Sequence, residues 1–179
     1  MDAVEYRMIK LEELSRELFR SFQRRQVVNL CWRREAGRWV IREAPFLDQW
    51  SESDYYFLTD CLRNTIRQGG VVYGAFLAGQ LKGFVSVEGP PMGSRGQYRD
   101  VTSLHVSEEL RGRGIGRRLF TFAADWAKNQ GAERLYLSSH SAVETQAFYQ
   151  AMGCREAEEY NREHVEKEPF DCQLEYLLQ

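Results

Sequence analysis

Leu110-Arg111-Gly112-Arg113-Gly114-Ile115-Gly116-Arg117-Arg118-Leu119 decides how this chain is read. Glycines at alternate positions let the backbone adopt positive φ and approach a ligand closely. The run before it, Val101-Thr102-Ser103-Leu104-His105-Val106, has the composition of a strand. After it, Ile115, Leu119, Phe122 and Trp126 recur at helical spacing. A glycine loop between a strand and a helix N-terminus exposes unpaired N–H groups at the positive end of the helix dipole. Arg111, Arg113, Arg117 and Arg118 add cationic side chains. The stretch therefore reads as a phosphate or pyrophosphate site.

It is neither of two common phosphate loops. No Lys-Ser or Lys-Thr follows the glycines, as a P-loop requires. The spacing Gly-x-Gly-x-Gly also departs from the dinucleotide fingerprint Gly-x-Gly-x-x-Gly. In Arg111, Gly114 and Gly116 the loop resembles the acetyl-CoA loop of the GNAT family of N-acetyltransferases, Arg/Gln-x-x-Gly-x-Gly/Ala. Leu104-His105-Val106 resembles that family's fourth strand. A second block, Ser141 to Cys154 with Phe148-Tyr149 and Gly153, resembles the family helix that ends in Phe-Tyr-x-x-x-Gly-Phe. The resemblance covers the chain from about Val71 onward.

The chain reads in order as strand, helix, hairpin, helix, three strands, helix, strand, helix and two strands. Leu11, Leu14, Leu18 and Phe22 mark the first helix, with Arg24-Arg25 at its solvated end. Val27–Trp32 and Arg38–Ile41 form an N-terminal hairpin turning near Gly37, with Trp32 and Trp39 as a cross-strand pair. Pro45 breaks the chain. Ser51 with Asp54 caps a helix whose stripe is Tyr55, Leu58, Cys61, Leu62 and Ile66. Gly89 to Gly96 is a flexible connector, and Ser141 with Glu144 has capping-box spacing. The last strand alternates Cys172, Leu174 and Tyr176 with a wetter face of Asp171, Gln173 and Glu175. The order gives an α+β fold. The resemblance implies one GNAT-like domain over residues 1–179, a mixed central sheet of about seven strands flanked by helices, with the hairpin as an addition.

Composition sets further limits. A net charge of −2 argues against nucleic-acid binding. No apolar run approaches the ~20 residues of a membrane span, and Met1 to Glu5 has no signal-peptide character. Cys31, Cys61, Cys154 and Cys172 show no Cys-x-x-Cys spacing, so a reduced cytoplasmic chain without a metal site is expected.

What the resemblance implies is an N-acetyltransferase with acetyl-CoA as co-substrate. Amides of Arg111, Gly112, Arg113, Gly114, Ile115, Gly116 and Arg117 cradle the pyrophosphate. Backbone groups of Leu104, His105 and Val106 align pantetheine and polarise the acetyl carbonyl. Tyr149 matches the family tyrosine that donates a proton to the departing thiolate. Ala142 stands where family members often carry Asn, with Ser141 as its nearest substitute. Glu88, Asp100, Thr102 and Ser103 are candidates for a general base, none distinguished from a surface group. The acceptor is an amine on a small molecule or a peptide. Glu156, Glu158, Glu159, Glu163, Glu166 and Glu168 suit a cationic acceptor, although a solvated acidic edge explains them better. Exposed hairpin aromatics fit a homodimer. The alternative is a non-catalytic acyl-CoA-binding module on the same scaffold.

Overall fold

The computed structural model describes residues 2–179. Seven strands form a mixed sheet in the order β1 (Glu5–Met8), β4 (Val71–Leu77), β5 (Gln80–Val87), β6 (Tyr98–Val106), β7 (Arg134–Ser139), β9 (Cys172–Leu177) and β8 (Arg155–Glu156). β2 (Arg25–Glu35) and β3 (Arg38–Gln49) make a separate ribbon. The helices are α1 (Glu52–Arg67), α2 (Ile115–Asn129), α3 (Val143–Met152) and α4 (Arg162–Lys167). The architecture is α+β, as the order of elements predicts. Among the described residues no helix is long and apolar enough to cross a membrane.

α2 lies on one face of the sheet. Its buried stripe is Ile115, Leu119, Ala123 and Ala127, packed with Val85, Val87, Val101 and Leu135. Phe122 flanks the stripe and stacks on Tyr73 with centroids 3.6 Å apart. Gly83 permits this approach: a Cβ there would sit 3.0 Å from Ile115 Cγ2 and 3.1 Å from Leu119 Cδ1. α1 and the segment before the ribbon cover the other face, where Phe19, Phe22, Tyr55 and Leu62 pack with Val72 and Phe84. Full burial of such side chains is worth about 1.5–3 kcal/mol each. The Ser51 capping box forms as read: Asp54 N–H donates to Ser51 Oγ and Ser51 N–H to Asp54 Oδ2.

Several local expectations are corrected. The first helix is two 3₁₀ turns, Leu11–Glu13 and Arg16–Phe19, split by extended Ser15. Arg63 donates to the Leu11 and Leu14 carbonyls, which a continuous helix would need for itself. Pro45 does not end β3. It falls at a bulge in the ribbon, where no ladder bond is required of it. Trp32 pairs with Ile41 and Trp39 with Arg34, so the two tryptophans are not partners. In α1 Cys61 is exposed and Thr59 and Thr65 are buried instead. The presumed wet face of β9 is dry: Gln173 and Glu175 are buried, Glu175 completely. Residues 154–160 yield only the two-residue β8, and the charged segment after them folds into α4, capped by Asn161. The Gly89–Gly96 loop is pinned at Ser94, which donates to Glu159 from both N–H and Oγ.

Candidate active site

β6 and β7 run parallel but pair only over Tyr98–Asp100 and Arg134–Tyr136. Beyond that they part, and a cleft of about 820 Å³ opens between them. The register with β5 fixes which β6 groups face it. Ser107 N–H donates to Lys82 O, and an antiparallel ladder alternates bonded and free pairs. His105 therefore turns its backbone to β5, while Leu104 and Val106 turn theirs towards the cleft.

The glycine loop forms the cleft's basic end. Gly114 takes φ 83° at the N-cap of α2, with no side chain capping the helix. The first amides of α2 are thus free for an anion. Gly116 lies under Phe148, whose Cζ would be 3.3 Å from an added Cβ. Arg111, Gly112, Gly114, Ile115, Gly116 and Arg117 line the cleft, and Arg113 does not. The Arg111 guanidinium is partly committed, since Nε donates to Val106 O at 3.2 Å. Arg118 lies over the Tyr6 ring.

α3 brings Tyr149 to the opposite wall. Phe148 and Phe120 surround the ring, and burial holds the phenol well above its ordinary pKa. The His105 side chain meets Trp50 edge-on at 4.8 Å and also packs against Phe84. Burial, reinforced by Arg24 and Arg111, pushes it down to about 3, so it is neutral at working pH.

The hairpin docks beside this wall. Trp32 N–H donates to Ser141 O at 2.8 Å, and Cys31 bridges Ala142. Ser141 is buried and its hydroxyl accepts from Arg33, so it is taken by the hairpin. Glu144 forms no capping box, because Ala142 is the N-cap of α3, and Glu144 stands exposed at the cleft rim. Thr102 and Ser103 line the cleft. Glu88 lies outside it, accepting from Thr65 and Thr102. Asp100 is turned away to His164 Nε2 at 2.6 Å. Sequence reasoning missed Arg24, Gln26 and His140, which also line the cleft. The Arg24-Arg25 pair looks like a helix end, and only Asp48 on β3 and Trp50 just beyond it draw Arg24 inward.

The His164–Asp100 bond tethers α4 to the sheet and carries a pH signature. The bond raises the His164 pKa against the opposing effect of burial. A raised folded-state pKa gives stability that is complete below the unfolded value of about 6.5 and is lost as pH rises through the folded one. His164→Gln should therefore cost more stability at about pH 6 than at about pH 9. Urea unfolding of both proteins at each pH measures this, and a cost independent of pH would assign the contact to packing.

Residues 11–154 match the sequence profile described as the acetyltransferase (GNAT) family. The chain belongs to that family. That family is one of acetyltransferases. Over 40 residues it is 42% identical to the Bacillus subtilis (strain 168) protein named uncharacterized N-acetyltransferase YobR, a match spanning 22% of this chain and 16% of that one. Its fold is similar to that of a nourseothricin acetyltransferase (TM-score 0.71, 17% identity, 99% of each chain). It is equally similar to a Bacillus anthracis str. Ames protein described as a streptothricin acetyltransferase, solved with acetyl coenzyme A (TM-score 0.72, 16% identity, 99% of this chain and 98% of that one).

Proposed function

We propose that this GNAT protein transfers acetyl from acetyl-CoA directly to a primary amine, on a small molecule or a peptide, as a single domain in the cytoplasm. The observation that carries this reading is the cleft itself. One opening holds the free amides of a helix N-terminus, an unpaired strand edge and a buried phenol. Amides of the Arg111–Arg117 loop bind the pyrophosphate. Backbone groups of Leu104 and Val106 align the pantetheine arm, and an N–H from this edge meets the carbonyl oxygen as charge develops on it. The neutral amine attacks the thioester carbon, the C–S bond breaks, and Tyr149 protonates the leaving thiolate. The amine's own proton passes to solvent. A phenol placed at the reacting end supports catalysis over a purely acyl-CoA-binding role. Four free cysteines fit a reducing compartment. Exposed Val27, Leu30, Trp39, Ile41 and Leu47 on the ribbon support a homodimer.

Calorimetric titration with acetyl-CoA tests the reading. Wild type should bind in the micromolar range and Gly114→Glu should not. The variant places an L side chain at φ 83° and a carboxylate where the phosphates lie. No binding by folded wild type would overturn the assignment.

A further inference from the structure

Two side-chain hydrogen-bond donors that the glycine loop does not supply, Arg24 and His140, line the cleft. Arg24 is the first. Its side chain is only 9% exposed, and its guanidinium lies 5.5 Å from the Trp50 ring. NH2 donates to Asp48 Oδ2 at 2.6 Å, NH1 reaches Gln26 Oε1 only at 3.4 Å, and Nε has no partner among the described residues. His140, at the end of β7, is the second donor. Its Nδ1 accepts from Ala142 N–H at 3.0 Å, which assigns the ring proton to Nε2. With Nδ1 blocked, this imidazole offers an N–H and cannot take up a proton from a substrate. Burial lowers its pKa in the same direction, and Phe46 packs against the ring at 4.8 Å. The acids nearby are occupied or peripheral. Asp48 is held by Arg24, Asp171 accepts from Ser138 Oγ, and Glu144 is exposed at the rim.

We propose that the acceptor amine carries a carboxylate, and that Arg24 and His140 bind it. The substrate class is then an amino acid or a compound built like one. This rests on the acetyl-transfer reading of the same cleft. Arg24 NH2 is committed to Asp48 and Nε is shielded, which leaves NH1, held only at 3.4 Å by Gln26, as the donor that an anion in the cleft would engage. A carboxylate can accept a charge-assisted bond from Arg24 NH1 and a further bond from His140 Nε2–H. A polyamine would instead bring ammonium groups against Arg24, and Arg111 lies close enough to add to the repulsion.

The test uses amines that differ only in the carboxylate: lysine and cadaverine, ornithine and putrescine, tyrosine and tyramine, histidine and histamine. Each is titrated into the full chain saturated with CoA and also assayed as an acceptor with acetyl-CoA. At least one amino acid should bind roughly 10- to 100-fold more tightly than its decarboxylated counterpart. Arg24→Gln should abolish that preference, and Arg24→Lys should retain part of it. Equal binding within every pair, or preference for the decarboxylated member, overturns the proposal. A preference that survives in Arg24→Gln overturns the assignment to Arg24. Absence of CoA binding by wild type would overturn the acetyl-transfer reading and the carboxylate site with it.

Discussion

Replacing Tyr149 by Phe should lower kcat about 100-fold or more, the ordinary yield of general acid catalysis. Affinity for acetyl-CoA should stay within about twofold, because an interaction made only in the transition state leaves ground-state binding alone. The variant keeps the ring and its contacts with Phe148 and Phe120, and removes only the hydroxyl. Burial raises the phenol's pKa, which at first sight weakens it as an acid. The same surroundings act on sulfur. Cys154, close enough to act on Tyr149, has its thiol pushed up to about 12 by burial. Desolvation raises the basicity of any thiolate, so a thiolate leaving beside Tyr149 would remain a match for the phenol. Tyr149 therefore stays protonated across the neutral range and contributes no titration below about pH 10. Steady-state kinetics over pH with calorimetry on both proteins checks the split. An unchanged kcat in the variant would exclude the phenol as the acid, whereas kcat and affinity falling together would point to a packing role.

What could be read from the sequence depended on how local the determining physics is. The glycine loop was legible because positive φ and a helix start are decided within a few residues: Gly114 is the N-cap and Gly116 the point of close approach. Arg24 was not legible, because its burial is imposed by Asp48, 24 residues further along the chain, and Trp50 just beyond it. Ser141 and Glu144 carried capping-box spacing, yet the hairpin claims Ser141 and moves the cap to Ala142. His105 sat in the right stretch, but only the strand register shows that its backbone belongs to β5 and its side chain to Trp50. The sequence thus marked the end of the cleft that the glycine loop builds, where free backbone amides are exposed. It left the end lined by Arg24, Gln26 and His140 dark, because side chains from distant segments build that end.

Glu175→Ala should lower the unfolding free energy by about 3–5 kcal/mol, the cost of breaking a buried ion pair by removing one partner. The carboxylate is fully buried and accepts from Tyr98 OH at 2.7 Å, Glu158 N–H at 2.9 Å, Arg134 NH1 at 2.9 Å and Arg155 NH2 at 3.0 Å. Its loss leaves a buried phenol, an amide and the largely buried head of Arg134 without this partner. Burial alone would raise the Glu175 pKa, but these bonds outweigh it and hold the group below its ordinary range. A lowered folded-state pKa gives stability that is complete above the unfolded value near ~4.3 and disappears as pH falls through the folded one. The difference between wild type and Glu175→Ala should therefore be largest near neutrality and shrink under acid, the reverse of His164→Gln. Glu175→Gln separates charge from shape. It should recover part of the loss by keeping the Tyr98 and Glu158 bonds to its carbonyl, while the arginines still face a neutral amide. Urea midpoints for the three proteins from about pH 3 to pH 7 measure this. A variant as stable as wild type at neutral pH would mean that the two arginines are solvated as well without Glu175 as with it.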